Sequence, residues 1–194
     1  MTELVLASSS VYRRALLERL GLPFAVVDPA IDETPEPGEY PGALAARLAA
    51  RKARAAGAGS RVVIGSDQTA SLDGQLLGKP GTRAAALAQL EACQGRTVVF
   101  HTAVAVHDGS SKRTLEHLDV TRVEFARRTR PELERYIELE PALNCAGGFK
   151  VEGLGIALFE QVESKDPTAL VGLPLIWLAR TLRQLGLDPM APTA

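Results

Sequence analysis

Apolar residues along the chain follow two spacings, and each spacing predicts a different kind of element. Continuous or alternating apolar runs predict strands at Leu4–Ala7, Phe24–Val27, Val62–Ile64, Thr97–Val106 and Leu115–Phe125. Shorter runs on either side of Asp73-Gly74 predict a tight hairpin, and Ile156–Phe159 predicts a further strand. Since strands and helices interleave but at least two strand pairs form hairpins, the predicted class is α/β with a mixed, twisted sheet and flanking helices.

Helical spacing lies in the segments between these strands, together with residues that start and stop helices. The predicted helices follow Ser8-Ser9-Ser10 and end at Gly21, span Gly42–Ala58 and Arg83–Ala92, run from the Thr129-Arg130-Pro131-Glu132 capping box toward Glu140, and run from Pro174 to Gly186. By contrast, Pro29–Pro41 is rich in proline and acidic residues and predicts a loop. Loops of this length inside compact domains are often functional.

Length and composition narrow the class of protein. The 194 residues are enough for one well-buried core or for two lobes that share a sheet, so we expect a single domain over residues 1–194. A formal net charge of -1 provides no overall field for a nucleic-acid polymer, and no apolar run approaches the length that spans a bilayer. No basic segment or long apolar stretch precedes Leu4, so we expect a cytoplasmic protein. Cys93 and Cys145 are far apart, which predicts buried, reduced thiols.

Two groups of acids are candidates for chemistry. The β-branched run before Gly65 predicts a buried strand, and Gly65 predicts that the chain turns where this strand ends. Asp67 would then lie at the carboxyl end of a strand, where ligands bind in open α/β sheets. It is either a metal ligand or general base, or an ordinary turn residue. The adjacent acids Asp32 and Glu33 either hold a divalent cation or are simply solvated.

Basic residues near the N-terminus are candidates for anion binding. Arg13 and Arg14 fall in the first turn of a predicted helix, where cations are unfavourable unless an anion lies between them and the free backbone amides. Together with the serine-rich turn before them, above all Ser8 and Ser10, they form a candidate phosphate cradle. The alternative is a solvated basic face.

The chain lacks the motifs of several common mechanisms. It contains no Gly-x-x-x-x-Gly-Lys-Ser/Thr loop, no Gly-x-Gly-x-x-Gly and no His-Glu-x-x-His, and its three histidines lie on the predicted long hairpin. Carboxylates with several Lys and Arg residues, and no evident covalent nucleophile, suit metal-assisted hydrolysis of a polyphosphate. The residues that remain for this chemistry are Arg13, Glu33, Lys52, Asp67 and Lys79.

Short motifs form an ordered set from Leu4 to about Leu187. They are Leu6–Arg14 followed by Leu16-Leu17, Ile31-Asp32-Glu33, Leu48-Ala49 with Lys52-Ala53, Gly65-Ser66-Asp67-Gln68, Gly78-Lys79-Pro80 and Asp166–Pro174. Each piece alone is weak, but the complete set in this order is highly specific. In this respect the chain resembles the Maf family of nucleotide pyrophosphatases.

The resemblance implies an α/β fold like that of inosine triphosphatases, with two lobes around a cleft. It also implies that a nucleoside triphosphate is hydrolysed to the monophosphate and pyrophosphate with a divalent cation, Mg²⁺ or Mn²⁺. Asp67 is the expected proton acceptor, and Asp67 with Glu33 would bind the metal. Lys52, Lys79 and Arg13 are expected around the metal and the phosphates. A homodimer is compatible with the sequence.

Two departures from the usual family pattern indicate a subgroup. Many members have Ser-Pro-Arg-Arg where this chain has Ser10-Val11-Tyr12-Arg13, and many have Thr where it has Gln68. Together with Cys145–Gly153, these residues are similar to the branch of the family that prefers 7-methyl-GTP. The branch with Thr prefers dTTP and UTP.

Tyr12, Gln68 and Glu152 are expected to set the base preference. An aromatic face at Tyr12 would stack favourably on the positively charged, N7-methylated guanine, and packing against its own helix is the alternative. Glu152 could accept hydrogen bonds from the guanine N1 and N2 edge, and Gln68 could donate or accept at the base. The alternative functions are a dTTP, UTP or inosine triphosphate pyrophosphatase, and a nucleotide-binding regulator of cell division.

Overall fold

The computed structural model of the chain describes residues 3–57 and 59–191. The strands in these residues are β1 (Leu4–Ala7), β2 (Ala25–Val27), β3 (Val62–Leu72), β4 (Gln75–Leu77), β5 (Thr97–Asp108), β6 (Arg113–Phe125) and β7 (Phe159–Glu163). They form one sheet in the order β2-β1-β3-β5-β6-β7, and β4 pairs with β3 beside this path. β1 is parallel to β2 and β3, and the other neighbours are antiparallel. The predicted mixed α/β class is therefore confirmed.

Five α-helices flank this sheet in the described part of the chain. They are α1 (Val11–Glu18), α2 (Pro41–Ala55), α3 (Arg83–Cys93), α4 (Arg130–Leu139) and α5 (Leu175–Gln184), with short 3-10 turns at Ala146–Gly148, Leu154–Leu158 and Ala169–Val171. Ser10 caps α1 as the serine-rich turn predicts, and α4 opens with the predicted capping box. Ala58, the predicted end of the second helix, lies outside the described residues. Within those residues no helix has the length and apolar composition needed to cross a bilayer.

β3 is longer than the sequence pattern predicts. It continues through Gly65 to Leu72, so Asp67 lies in the middle of a strand, and the prediction of a turn at Gly65 is wrong. A Cβ atom at Gly65 would overlap the carbonyl oxygen of Ala49 and crowd the backbone nitrogen of Ala53. Glycine is therefore needed at this position because α2 packs directly against the strand backbone.

The predicted strand at Ile156–Phe159 is also wrong. The chain forms a 3-10 turn over Leu154–Leu158, and β7 begins only at Phe159. A Cβ atom at Gly155 would overlap the carbonyl oxygen of Lys150, so the backbone folds back on itself here. A tight reversal of this kind excludes an extended strand.

Two hydrophobic cores lie on the same face of the sheet, at opposite ends of β3 and β5. Alternate residues of a strand share a face; Val62 and Ile64 belong to one core, Ala70 and Leu72 to the other. The first core joins β1 to α1 and α5, and we refer to these elements as the first lobe. The second core joins α3, α4 and the 3-10 turn at Ala146–Gly148, and we refer to them as the second lobe. α2 covers the opposite face of the sheet.

The edge of β3 that faces away from β5 has a gap in its pairing. β1 pairs with this edge as far as Gly65, and β4 pairs with it from Ala70 onward. Residues 66–69 therefore have no strand beside them on this edge within the described residues, and Asp67 lies in the gap. Since β1 ends at Ala7, opposite Gly65, Asp67 still lies close to the carboxyl end of a strand. The two lobes on either side of the gap form the predicted cleft.

Candidate active site

A cavity of about 670 Å³ opens at the gap in β3. Its volume falls within the usual range for small-molecule sites. Both lobes and α2 contribute to its wall. The predicted site residues that line it are Ser8, Ser10, Tyr12, Arg13, Glu33, Lys52, Asp67, Gln68, Lys79 and Glu152. The structure thus brings together the candidate residues of the sequence except Arg14 and Asp32.

The Lys52 ammonium lies between two carboxylates of the cavity wall. Its Nζ is 2.7 Å from Asp67 Oδ1 and 2.5 Å from Glu33 Oε1, and the Lys52 side chain is only 6% exposed. The Asp67 side chain is 12% exposed, whereas that of Glu33 is 53% exposed. A buried lysine is unfavourable unless its charge is paired. The two carboxylates provide this pairing, and they also bring two anionic groups to one point.

Packing between α2 and β3 fixes this contact. Gly65 allows close approach of the helix backbone next to Lys52, and Asp67, two residues further along the strand, points to the same face. Thr69, again on this face, donates its hydroxyl to the Pro41 carbonyl oxygen at 2.9 Å. The strand therefore holds the start of α2 as well as its middle.

The loop over residues 28–40 brings Glu33 to the cavity and is tied to α2 by Arg47. The Arg47 guanidinium donates to both carboxylate oxygens of Glu39, at 2.6 and 2.7 Å, and to the Thr34 carbonyl oxygen at 3.1 Å. The hydrogen bond from Arg47 lowers the pKa of Glu39 to about 2. Sequence reasoning missed Arg47, because a solvated arginine on a helix looks the same as one that binds a loop.

Arg13 faces the cavity from the first turn of α1. Its Nε donates to the Gly172 carbonyl oxygen at 3.0 Å, and a terminal nitrogen lies 3.4 Å from Ser8 Oγ. Burial lowers the pKa of Arg13, and the negative charges of Asp67 and Glu33 oppose that shift. These contacts fix the guanidinium plane while its other N–H groups remain for an anion.

Arg14 and Asp32 lie outside the cavity. Arg14 Nε is 3.0 Å from Glu18 Oε1, and the Arg14 side chain is 62% exposed. Arg14 does not line the cavity, so the expected place of Arg14 in the phosphate cradle is corrected. Asp32 accepts the backbone N–H of Thr34 at 2.9 Å, as an acid in a turn does.

Ser8 and Ser10 line the cavity and also stabilise the start of α1. The Ser8 hydroxyl oxygen accepts the Ser10 backbone N–H at 3.2 Å, and the Ser10 hydroxyl oxygen accepts that of Arg13 at 3.3 Å. Both hydroxyls act as acceptors in these bonds. Their O–H groups therefore remain able to donate to a phosphate oxygen.

A turn at residues 166–172 binds three side chains from α1 and β3. The Gly172 carbonyl oxygen accepts from Arg13 and, at 2.9 Å, from Ser66. The Gln68 amide nitrogen donates to the carbonyl oxygens of residues 169–170, at 3.0 and 3.1 Å. This nitrogen is therefore occupied within the protein, and the acceptor oxygen of Gln68 is the part left for a base.

The same turn is fixed to the start of α5 by two buried polar residues. Asp166 accepts the backbone N–H groups of Thr168 and Ile176, at 2.9 and 2.7 Å, and the Thr168 hydroxyl accepts that of Leu175 at 2.9 Å. The N–H groups of Leu175 and Ile176, at the start of α5, lack partners within the helix. Sequence reasoning recognised the turn but missed its capping role, because the capped residues follow Asp166 at a distance.

The second lobe contributes the wall opposite Asp67. Glu152 is exposed there, and Cys145 is half-buried. Both cysteines are free thiols, but the prediction that both are buried holds only for Cys93. Burial of the Lys150 ammonium disfavours its charge, but Tyr12, Cys145 and Glu140 together outweigh this and raise the pKa of Lys150. Tyr12 of the first lobe and Glu152 both line the cleft.

The charges of the cavity wall bear on a metal ion. The wall holds three cations, Arg13, Lys52 and Lys79, and four carboxylates, those of Asp28, Glu33, Asp67 and Glu152. Such a wall does not by itself neutralise a polyphosphate. No cluster of three or more His, Cys, Asp or Glu residues suited to a metal lies within residues 3–57 and 59–191. The converging pair Asp67 and Glu33 fits Mg²⁺, which typically takes one or two carboxylates and completes its shell with phosphates and water.

Comparisons with known proteins show which proteins the chain is similar to. A family model described as Maf-like protein matches residues 3–185. A protein of Xanthomonas oryzae pv. oryzae (strain MAFF 311018) named 7-methyl-GTP pyrophosphatase is 58% identical over 188 residues, which cover 96% of this chain and 98% of the relative. A protein of the same name from Burkholderia pseudomallei (strain 1710b) is 56% identical over 188 residues, covering 94% of this chain and 87% of the relative.

Proposed function

This chain belongs to the family of Maf-like proteins, and on that premise we propose that it hydrolyses 7-methyl-GTP to 7-methyl-GMP and pyrophosphate. Relatives named for this activity are more than 50% identical to this chain over the 188 aligned residues, which cover almost the whole chain. The observation that carries the proposal is the buried Lys52 ammonium between Asp67 and Glu33 in the wall of the cleft. It brings a carboxylate that can accept a proton and a cation that can bind phosphate to one place.

In the proposed reaction, water cleaves the anhydride bond between the α- and β-phosphates. The water oxygen forms a bond to phosphorus, the bond to the bridging oxygen breaks, and pyrophosphate leaves. Asp67 accepts the proton of the attacking water, and Lys52 holds the Asp67 carboxylate in place. Arg13 and Lys79 stabilise the negative charge on the phosphates, with Ser8 and Ser10 as further donors.

Glu33 and Asp67 are the residues we propose to hold the divalent cation, Mg²⁺ or Mn²⁺. When bound, such an ion neutralises phosphate charge and lowers the pKa of a coordinated water. The excess of carboxylates over cations in the cavity wall supports its participation. The exposure of Glu33 supports it as well, because its carboxylate would be accessible to such an ion from the cavity.

Tyr12, Glu152 and Gln68 are the residues we propose for base recognition. Tyr12 and Glu152 come from different lobes, so a base between them meets an aromatic face and a carboxylate. Stacking on Tyr12 favours the cationic 7-methylguanine over guanine. A carboxylate at Glu152 accepts from the guanine N1 and N2 edge, which distinguishes guanine from uracil and thymine. Gln68 contributes its acceptor oxygen, since its amide nitrogen binds the turn at residues 169–170.

A side-by-side assay tests the proposed function. The purified protein is incubated with Mg²⁺ or Mn²⁺ and 7-methyl-GTP, GTP, dTTP, UTP or ITP, and the monophosphate and pyrophosphate are identified. We expect the highest kcat/KM for 7-methyl-GTP. Preference for dTTP or UTP would keep the reaction but overturn the roles of Tyr12, Gln68 and Glu152. Nucleotide binding without turnover would support the regulator instead.

The proposed reaction takes place on free nucleotides in the cytoplasm, and neither a nucleic-acid polymer nor a membrane takes part in it. The two free thiols fit a reducing compartment. We further propose that residues 1–194 act as one domain. Size-exclusion chromatography of the assayed protein distinguishes a monomer from the homodimer that the sequence allows.

A further inference from the structure

The segment that carries Glu152 is anchored from outside the cavity. Residues 150–155 follow the 3-10 turn at Ala146–Gly148, and Glu152 near their centre lines the cavity. Helix α4 and the residue that caps its C-terminus contact both ends of this segment, through Tyr136 in the helix and Glu140 at the cap.

Tyr136 anchors the first end of the segment. Its hydroxyl oxygen accepts the backbone N–H of Lys150 at 3.3 Å. The Tyr136 residue is 4% exposed and packs in the core of the second lobe. Burial raises the pKa of Tyr136, so its hydroxyl stays neutral. The anchor therefore extends from a rigid core to the backbone next to the cavity.

Glu140 anchors the other end and fits closely against a glycine. Its Oε2 accepts the Gly155 backbone N–H at 3.1 Å. A Cβ atom at Gly153 would overlap the Glu140 carboxylate. The φ angle of Gly153 is -123°, which other residues also adopt. The space that Glu140 occupies therefore explains glycine at this position.

We propose that Tyr136 and Glu140 are positioning residues for base selection, because they fix both ends of segment 150–155 and so place Glu152 against the base. This inference rests on the proposed function, in which Glu152 reads the guanine edge. A recognition group must be held within a fraction of an ångström by its supporting residues. Lys52 and Asp67 lie on α2 and β3, so loss of an anchor should weaken base recognition and spare the chemical step.

Kinetics of anchor variants on two substrates test the inference. For Glu140→Ala and for Tyr136→Phe, we expect KM for 7-methyl-GTP to rise about tenfold, the typical order for a lost hydrogen bond at a buried or charged group. We expect kcat to stay within about twofold, and KM for UTP to stay unchanged, because UTP lacks the guanine edge. Where UTP turns over too slowly, its inhibition constant replaces KM.

Two further variants, in α4 and at its C-terminal cap, act as controls. Glu140→Gln keeps an acceptor oxygen at the same place, so it should recover most of the 7-methyl-GTP affinity that Glu140→Ala loses. Glu134→Gln changes the same charge on α4 but affects an ion pair with Arg130 at the surface, so both KM values should match the wild type.

Gly153→Ala provides an independent test of the same contact. The added Cβ should displace the Glu140 carboxylate from Gly155, so this variant should lose the same affinity as Glu140→Ala. The double variant, Glu140→Ala with Gly153→Ala, should then lose about tenfold in affinity for 7-methyl-GTP rather than about a hundredfold, because both changes remove the same interaction. Losses that multiply would overturn the proposed contact.

These measurements separate failure of the inference from failure of the proposed function. The wild-type substrate preference tests the function alone, and Glu152→Gln tests the role of Glu152. If Glu152→Gln weakens guanine selectivity and the anchor variants do not, the positioning role is overturned and the function stands. The positioning role would also be overturned if the anchor variants raised KM equally for 7-methyl-GTP and UTP and had a lower melting temperature. The wild type could also prefer another base. In that case the positioning role is overturned if the ratio of KM values for two nucleotides with different bases is the same in the anchor variants as in the wild type.

Discussion

The two walls of the cleft are built in different ways. On one wall, Lys52 and Asp67 lie on a helix and a strand, and their side chains are only 6% and 12% exposed. On the other wall, Glu152 is exposed on a segment between 3-10 turns. Side chains on packed helices and strands are held more accurately than those on loops. Lys52 and Asp67 are thus fixed by the core of the fold, whereas Glu152 depends on the few hydrogen bonds that hold its segment.

Replacement of Asp67 removes the proposed proton acceptor from the packed wall, and we expect this change to have the largest effect on activity. Asp67→Asn keeps the shape of the side chain but removes the proposed proton acceptor, so kcat for 7-methyl-GTP should fall by about 10²–10⁴-fold. Glu33 remains as a partner for Lys52, so the circular dichroism spectrum should match the wild type. Undiminished metal-dependent hydrolysis would exclude Asp67 as the proton acceptor.

Replacement of Gly65 tests whether the packed wall depends on close contact between α2 and β3. The Cβ atom of Gly65→Ala would overlap helix backbone, which has little freedom to move, so the free energy of unfolding should fall by about 1–3 kcal/mol. Urea unfolding measures this change. Gly78→Ala is the matched control, since a Cβ there meets no atom within 4 Å. Equal stability of the two variants would contradict the packing argument.

Replacement of Tyr12 tests base recognition from the first lobe, where a smaller effect is expected. A cation–π contact at a partly exposed site contributes about 0.5–1 kcal/mol, so Tyr12→Leu should lower the preference for 7-methyl-GTP over GTP by about two- to fivefold. Tyr12→Phe keeps the aromatic face and should keep the preference. The ratio of kcat/KM values for the two substrates is the measurement. A preference that is equal in Tyr12→Leu and wild type would leave Tyr12 with a packing role.

Thiol labelling compares the accessibility of the two cysteines and has the smallest expected effect. Burial raises the pKa of Cys145, so iodoacetamide should label it slowly at pH 7 and faster as the pH rises. Burial raises the pKa of Cys93 to about 11, and this core thiol should stay unlabelled in the folded protein. Bound 7-methyl-GTP should slow labelling of Cys145. Mass spectrometry identifies the labelled residue, and equal labelling of both thiols would contradict their placement.

Local patterns in the sequence predicted much of the fold and the members of the site. The serine cap of α1, the capping box of α4 and the interleaved hairpins depend on neighbouring residues, so the sequence contains their signals. Lys52 and Lys79 were different, since nothing local separates them from solvated lysines. The resemblance to a family identified them as site candidates, and the structure places both in the cavity wall.

Features that depend on distant contacts were not predictable in this way. A glycine after a β-branched run is compatible both with a turn and with close packing of a helix. At Gly65 the reason is packing of α2, which is a separate segment of the chain. The two arginines at the start of α1 look alike in sequence, but Arg14 does not line the cavity. The contacts of Gly172 with Arg13 and of Glu140 with Gly155 join segments whose proximity follows only from the complete fold.

β3 and β5 run side by side through both lobes and are paired at every position from Val62 to Leu72. A hinge between the lobes would have to distort this ladder beside the cavity, so we expect the sheet to act as a stiff frame. We therefore expect any closure over a nucleotide to come from the segments that cover the frame, the loop at residues 28–40 and segment 150–155. Nucleotide binding should therefore slow amide hydrogen exchange in those two segments and leave exchange along β5 unchanged.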